Sequence, residues 1–119
     1  QLMPKFKNKV SGIAMNVSVA NGSCIDLTTE MDRMPSVEEA NKSFENASLN
    51  ELKGLIRFTE DPIVSSDAIG GGETMLFDSK ATMIASEKLL KTVAWFDNGW
   101  GFANRILELA EAYSKKERI

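Results

Sequence analysis

Few groups in this sequence could carry covalent catalysis, because it contains one cysteine, Cys24, and no histidine among 119 residues. A nucleophilic cysteine needs a neighbouring base or cation to form its thiolate, and histidine is the usual base near neutral pH. Cys24 falls in the middle of a predicted strand, which favours a structural thiol over a nucleophile. Without histidine there is no Ser-His pair and no imidazole metal ligand, so we expect no metal site.

Two other patterns could carry chemistry, but each has a simpler interpretation. A phosphate-binding loop needs a helix after its glycines, whereas Gly70, Gly71 and Gly72 are followed by the strand-like run Glu73 to Phe77. This favours a mobile hairpin loop. The paired carboxylates are expected on solvated helix faces or in a turn, and not as an acid–base pair: Glu38 with Glu39, Glu108 with Glu111, and Glu60 with Asp61.

The segment from Trp95 to Arg105 contains more aromatic, glycine and amide residues than a strand-to-helix link requires. Asn98 stands near the start of the last predicted helix, and its amide can both donate and accept hydrogen bonds. Two interpretations stay open. Asn98 could bind a polar ligand, or it could serve as a helix N-cap beside packed aromatic rings, which the residue types alone favour.

Periodicity and turn signals indicate the elements that would position these residues. Alternating runs at 9–19 and 23–31, separated by Ala20-Asn21-Gly22, predict an antiparallel hairpin. Ser36 and Glu39 form a capping box for a helix that ends near Ser48. Its apolar stripe consists of Val37, Ala40, Phe44 and Ala47.

The second half of the chain predicts short strands and a final helix. We expect a turn and then a strand within 52–58, brief strands at 63–67 and 75–78, and a hairpin of 81–85 with 88–96. The last helix should run from about Trp100 to Lys116, with its apolar face at Phe102, Ile106, Leu109 and Tyr113. The predicted fold class is α+β, a mainly antiparallel or mixed sheet covered by two helices.

The composition is that of an ordinary globular protein, with 43% hydrophobic residues, 26% charged residues and a net charge of -3. No basic cluster indicates a nucleic-acid partner, and no apolar run approaches the length of a membrane span. The single cysteine favours a reducing compartment.

Longer motifs carry a resemblance to a known family. WFDNGWGFANR, at 95–105, resembles the closing motif W-Y-D-N-E-W-G-Y-S-N-R of the glyceraldehyde-3-phosphate dehydrogenase family. LKGLIRFTEDPIVSSD (52–67), LFDS (76–79) and VSGIAMNVSVANGSCIDLT (10–28) are similar to further family motifs, so the resemblance covers the whole chain. The phenylalanine and alanine at 102–103 are also similar to the erythrose-4-phosphate dehydrogenase branch.

The resemblance implies that 1–119 is part of the C-terminal catalytic domain of a glycolytic, NAD(P)-dependent oxidoreductase. The family's Rossmann domain and its catalytic cysteine and histidine would lie outside this chain, so we expect a fragment that is inactive alone and binds no cofactor by itself. The parent would bind NAD or NADP and a sugar-phosphate aldehyde, form a homotetramer and be cytoplasmic. Asn98 aligns with the family asparagine that contacts the nicotinamide carboxamide.

Three departures from the family pattern bear on the substrate. Asn16 stands where the family has an arginine that holds the substrate phosphate, and a neutral amide lacks the charged fork of arginine. The run Val17-Ser18-Val19 replaces V-P-T, and Gly99 replaces a glutamate. The alternatives are therefore a non-catalytic paralogue, or an assembly or interaction module with the same fold.

Overall fold

The computed structural model of the chain describes residues 3–116, so positions 1–2 and 117–119 of the predicted 1–119 domain lie outside the described residues. The elements are β1 (Ser23–Glu30), α1 (Val37–Leu49), β2 (Ile56–Thr59), β3 (Met75–Ser86), β4 (Leu89–Phe96) and α2 (Asn98–Lys116). Two short 3-10 helices occur at Pro4–Phe6 and Ser65–Ala68.

The four strands form one mixed sheet in the order β1-β4-β3-β2. β4 is antiparallel to both of its neighbours, whereas β2 and β3 run parallel. The α+β class is confirmed. The runs predicted at 75–78 and 81–85 are a single strand, β3, which has shifts of register between Asp78 and Met83 and between Ile84 and Ser86.

The predicted hairpin between 9–19 and 23–31 is wrong. Residues 10–22 form no strand, and β1 pairs with β4, with Ile25 opposite Ala94. Ile13 and Met15 are 88% and 76% exposed. Alternation reports a preference for extended backbone, but it does not identify the partner strand. β3 and β4 form a tight hairpin, which occupies one edge of β4. The other edge of β4 is therefore free to pair with β1.

The start of α1 confirms the predicted capping box. The Glu39 backbone N–H donates to Ser36 Oγ at 3.1 Å, and the Ser36 N–H donates to Glu39 Oε2 at 2.9 Å. The helix then packs its apolar stripe on the sheet. The Phe44 ring stacks at a centroid distance of 3.9 Å on Phe77, which is 1% exposed, and Phe58 lies 5.9 Å from Phe77 in the same stack.

The connection between β2 and β3 crosses the opposite face of the sheet. Parallel neighbours require such a crossover, and Arg57, whose side chain alternates with that of Phe58, donates to the Asp67 carbonyl at 3.3 Å. The strand predicted at 63–67 is wrong, because a 3-10 helix occupies Ser65–Ala68. Asp67 Oδ2 accepts from the Val64 N–H at 2.8 Å, and such local side-chain bonds favour turns over strands.

Among residues 3–116, contacts with other segments hold only the first turns of α2. Gly101 is buried, but the predicted apolar face is exposed, with Phe102 at 68%, Ile106 at 51%, Leu109 at 59% and Tyr113 at 64%. Within the described residues, α1 therefore covers the sheet, and α2 contacts the loops that precede β2 and β3.

Candidate functional site

Asp97 caps the helix that carries Asn98. Its carboxylate is 8% exposed, and Oδ1 accepts from the backbone N–H groups of Gly99 at 3.1 Å and Trp100 at 3.0 Å. A carboxylate in this position satisfies unpaired N–H groups and complements the helix dipole. The interpretation of Asn98 as the N-cap is therefore wrong, since Asn98 is the first residue of the helix itself.

The second oxygen of Asp97 reaches two distant segments. Oδ2 accepts from the Gly70 N–H at 3.1 Å and from Asn21 Nδ2 at 3.4 Å. These bonds lower the pKa of Asp97, chiefly through the N–H of Trp100 and then that of Gly70, while Gly99 and Asn21 contribute less. The carboxylate is thus ionised at neutral pH, and it joins the start of α2 to the glycine loop and to the segment before β1.

The side chain of Asn98 is exposed and takes part in none of the side-chain hydrogen bonds found within residues 3–116. The neighbouring N–H groups are already occupied, because Asp97 accepts from Gly99, Trp100 and, through its carbonyl, Gly101 at 2.9 Å. These three groups are therefore unavailable to an anion. The site suits a neutral ligand group that both donates and accepts, such as a carboxamide, better than it suits a phosphate.

Two glycines allow close approaches around this cap. Gly22 has φ +95°, and a Cβ there would lie 2.9 Å from the Ser65 carbonyl oxygen. A Cβ on Gly101 would lie 3.0 Å from the carbonyl oxygen of Glu73. Larger residues would push the segment before β1, or the first turn of α2, away from the connection between β2 and β3.

Arg105 holds the second turn of α2 in place. Nη1 donates to the Gly54 carbonyl at 3.3 Å and to Thr74 Oγ1 at 3.1 Å, and Nη2 donates to the Gly72 carbonyl at 3.2 Å. Trp95, earlier in the same segment, donates from Nε1 to the buried Asp78 carboxylate at 3.2 Å. Packing and hydrogen bonding therefore explain much of the unusual composition of 95–105, but they leave the Asn98 amide available.

The glycine loop and the paired carboxylates have structural roles. The loop is followed by β3, as predicted, but the hairpin is wrong, because β2 and β3 run parallel. Gly70 and Gly72 of the loop bond to Asp97 and Arg105. Glu39 completes the α1 capping box, Asp61 lies 3.5 Å from Thr59 Oγ1, Glu108 pairs with Arg105, and Glu111 pairs with Lys115. Across residues 3–116, no group of three or more acidic, cysteine or histidine side chains could hold a metal ion.

Cys24 lies in β1, opposite Trp95, and its side chain is exposed. Partial burial raises the pKa of its thiol most, and the carboxylates of Asp26 and Asp78 raise it further. The protonated thiol is a weak nucleophile, which agrees with a structural interpretation of Cys24.

Asn16 is exposed, in the irregular segment that leads to β1. The structure does not bring Asn16 and Asn98 into hydrogen-bond contact; the two segments meet instead through Asn21 and Asp97. The sequence identified Asn21 only as a turn residue. An Asp just before a predicted helix does signal an N-cap, but nothing local signals its bonds to Asn21 and Gly70.

Comparisons with known proteins agree on one family. Residues 1–98 match the family model described as glyceraldehyde 3-phosphate dehydrogenase, C-terminal domain. Glyceraldehyde-3-phosphate dehydrogenase 2 of Streptomyces avermitilis is 42% identical over 108 residues, which are 91% of this chain and 32% of that protein. The Geobacillus stearothermophilus enzyme is 36% identical, and a cytosolic enzyme of Arabidopsis thaliana is 32% identical; each match covers 97% of this chain and 34% of the relative. The chain thus spans about a third of these relatives.

Proposed function

Because the chain belongs to the C-terminal domain family of glyceraldehyde 3-phosphate dehydrogenase, we propose that it forms the later part of the catalytic domain of an NAD(P)-dependent phosphorylating aldehyde dehydrogenase. The family match and relatives up to 42% identical support this proposal. The whole enzyme would oxidise a sugar-phosphate aldehyde in carbohydrate metabolism. The nicotinamide of its NAD or NADP accepts a hydride when bound.

The contribution of this chain to that reaction is to orient the nicotinamide through Asn98. The observation that carries the proposal is that the Asn98 amide is exposed at the capped start of α2, without a side-chain hydrogen bond inside residues 3–116. An amide can donate to the carbonyl of a carboxamide and accept from its NH2 group. Such a pair fixes the rotation of the ring, and orientation of reacting groups accounts for much of enzymatic rate enhancement.

An Asn98→Ala substitution in the protein from the complete reading frame tests this role. We expect kcat to fall and KM for the dinucleotide to rise, each by about tenfold, which is the cost of one or two hydrogen bonds to a positioned group. Asn46→Ala, at an exposed position on α1, is the matched control and should leave both constants unchanged. Equal kinetics for the two variants would exclude a nicotinamide contact by Asn98.

We further propose that the chain alone does not catalyse the reaction. Its sequence contains no histidine, and the pKa of its only thiol, Cys24, is raised. A purified 119-residue preparation should form no reduced dinucleotide with glyceraldehyde 3-phosphate, phosphate and NAD. The complete reading frame should also encode a G-x-G-x-x-G motif and an S-C-T-T-N-like nucleophile, and their absence would overturn the assignment as an enzyme.

Asn16 supports a second candidate, a relative that has lost the usual phosphate recognition or all catalysis. A neutral side chain cannot replace the charge and bidentate geometry of arginine at a phosphate. Under this alternative, the complete protein is inactive with glyceraldehyde 3-phosphate, whether or not it oxidises a longer or unphosphorylated aldehyde. If it does oxidise another aldehyde, Asn16→Arg should introduce activity with glyceraldehyde 3-phosphate, and it would have no such effect if another residue already holds the phosphate.

Self-association and a cytoplasmic location also belong to this proposal. Ile25 and Leu27 on β1 are 53% and 51% exposed, and the apolar stripe of α2 is exposed as well. Large exposed apolar surfaces usually mark interfaces. No helix among residues 3–116 is long and apolar enough to cross a membrane, and one relative is described as cytosolic. Sedimentation should give an oligomer, whereas a monomer would contradict the assembly role.

A further inference from the structure

Asp97 forms more hydrogen bonds than a helix cap requires. Oδ1 by itself completes the cap, through the N–H groups of Gly99 and Trp100. Oδ2 is used for bonds that span 27 residues to Gly70 and 76 residues to Asn21. Since the carboxylate is buried and ionised, and all four of its partners are donors, it acts as a single node between three segments of the chain.

The Asn21 end of this node is itself fixed. Asn21 Oδ1 accepts from the Gly22 N–H at 2.8 Å, so the side-chain amide is held in one orientation, with its NH2 group toward Asp97. Gly22 follows with its Cα against Ser65, where even a methyl group would collide with a carbonyl oxygen. The segment that contains Asn16 is thereby anchored beside α2 before it enters β1.

We propose that Asp97 is a positioning residue, whose Oδ2 bonds to Gly70 and Asn21 fix the direction of the Asn98 amide and couple it to the segment that contains Asn16. This inference rests on the proposed role of Asn98. Asn98 is covalently next to Asp97, so a shift of the Asp97 backbone, which the bonds to Gly70 and Asn21 oppose, would move the first residue of α2 with it. The node then sets the distance between the cofactor-facing residue and the substrate-side segment.

The Asp97→Asn substitution distinguishes the roles of the two carboxylate oxygens, because it keeps Oδ1 and replaces Oδ2 with an NH2 group. Asparagine is as good an N-cap as aspartate, so its Oδ1 retains the bonds to Gly99 and Trp100. Its NH2 group, however, would face the N–H of Gly70 and the NH2 of Asn21, which are donors. In the complete protein we expect kcat to fall about tenfold or more, because shifts of about 1 Å in positioning groups can cost a hundredfold. Asp32→Asn, at an exposed position, is the control and should behave as wild type.

Adding Asn21→Asp to Asp97→Asn reverses the hydrogen bond and restores a donor–acceptor pair between the two residues. We expect this double variant to recover several-fold in kcat over Asp97→Asn, whereas Asn21→Asp alone loses activity because two carboxylates face each other. This double-mutant cycle isolates the link between residues 21 and 97. A purely structural role would lower the melting temperature of Asp97→Asn and leave kcat of the folded enzyme unchanged, and that result would overturn the proposal.

Hydrogen–deuterium exchange tests the positioning role of Asp97 without an activity assay. Asp97→Asn should raise exchange in peptides that cover Gly70 and in peptides that cover residues 16–22, and the double variant should reduce the second increase. Unchanged exchange in both regions would overturn the positioning role, even if wild type proved unable to oxidise any aldehyde. A wild-type protein without activity would overturn the proposed enzymatic function, but not the positioning role. If the wild type is active, and Asn98→Ala impairs kcat while Asp97→Asn leaves it intact, the positioning role of Asp97 is overturned.

Discussion

The two helices of this chain have similar sequence signals but are held in different ways. α1 begins with a capping box formed within four residues, and its apolar stripe packs on the sheet, where Phe44 stacks on Phe77. α2 is capped by Asp97, whose partners come from three segments, and its aromatic and aliphatic stripe remains exposed. One helix is fixed by apolar packing within the chain, and the other by polar bonds at its first two turns.

This difference explains where the candidate site lies. A helix that packs along its length has little surface left for a ligand, whereas α2 is fixed only at its start, near Asn98. Buried polar networks specify geometry more sharply than apolar contacts, because each misplaced donor or acceptor loses its partner. The position of Asn98 therefore depends on Asp97 and Arg105, and the exposed stripe of α2 remains available for contacts with a partner surface.

The largest expected effect is on the apolar packing between α1 and the sheet. Phe77→Ala should lower the free energy of unfolding by about 3–5 kcal/mol, since it leaves a cavity between Phe44 and Phe58. Chemical denaturation measures this loss. Phe102→Ala, at a 68% exposed ring on α2, is the control and should cost less than about 0.5 kcal/mol. Similar losses for the two variants would contradict the distinction between the helices.

The next largest effect concerns the hydrogen bonds that hold α2. Arg105→Lys should destabilise the protein by about 1–2 kcal/mol, because a single ammonium group cannot reach all four acceptors that the guanidinium contacts. Arg57→Lys is the matched control, since Arg57 is more exposed and has one hydrogen bond to a carbonyl. Its loss, measured by the same denaturation, should be smaller. If Arg105→Lys were neutral, α2 would have to be held by other contacts.

A smaller effect is expected at the local cap. Ser36→Ala should cost about 1 kcal/mol, because it removes the Oγ that accepts from the Glu39 N–H. Ser43→Ala removes a hydroxyl bonded to a helix carbonyl within α1, and it should be close to neutral. Thermal unfolding distinguishes the two. A cost for Ser43→Ala as large as that for Ser36→Ala would show that the cap does not limit the stability of α1.

The smallest effect is a difference in acid sensitivity. The pKa of Asp97 is lower in the folded chain than its ordinary value. Its stabilising contribution is therefore complete above the unfolded pKa of about 4 and is lost as the pH falls toward the lower folded pKa. Asp97→Asn lacks this component, so its stability deficit relative to wild type should shrink as the pH falls below about 4. A deficit that stays constant in pH-dependent unfolding would show that folding does not lower the pKa of Asp97.

The sequence by itself determined the elements whose causes are local. The capping box at Ser36, the 3.6-residue stripe of α1 and the tight turn between β3 and β4 all depend on residues a few positions apart, so the fold class and most element boundaries could be predicted. The family motif at 95–105 also pointed to Asn98, although the residue types alone favoured the wrong role for it, a helix cap.

Tertiary structure alone decided the pairing of β1 with β4 and the partners of Asp97. Alternation in 9–19 and 23–31 suited a hairpin, but strand pairing depends on which edge is available once β3 and β4 have joined. The bonds from Asp97 to Gly70 and Asn21 join groups 27 and 76 residues apart. No local pattern encodes such distances, because the groups meet only after the sheet has brought their segments together.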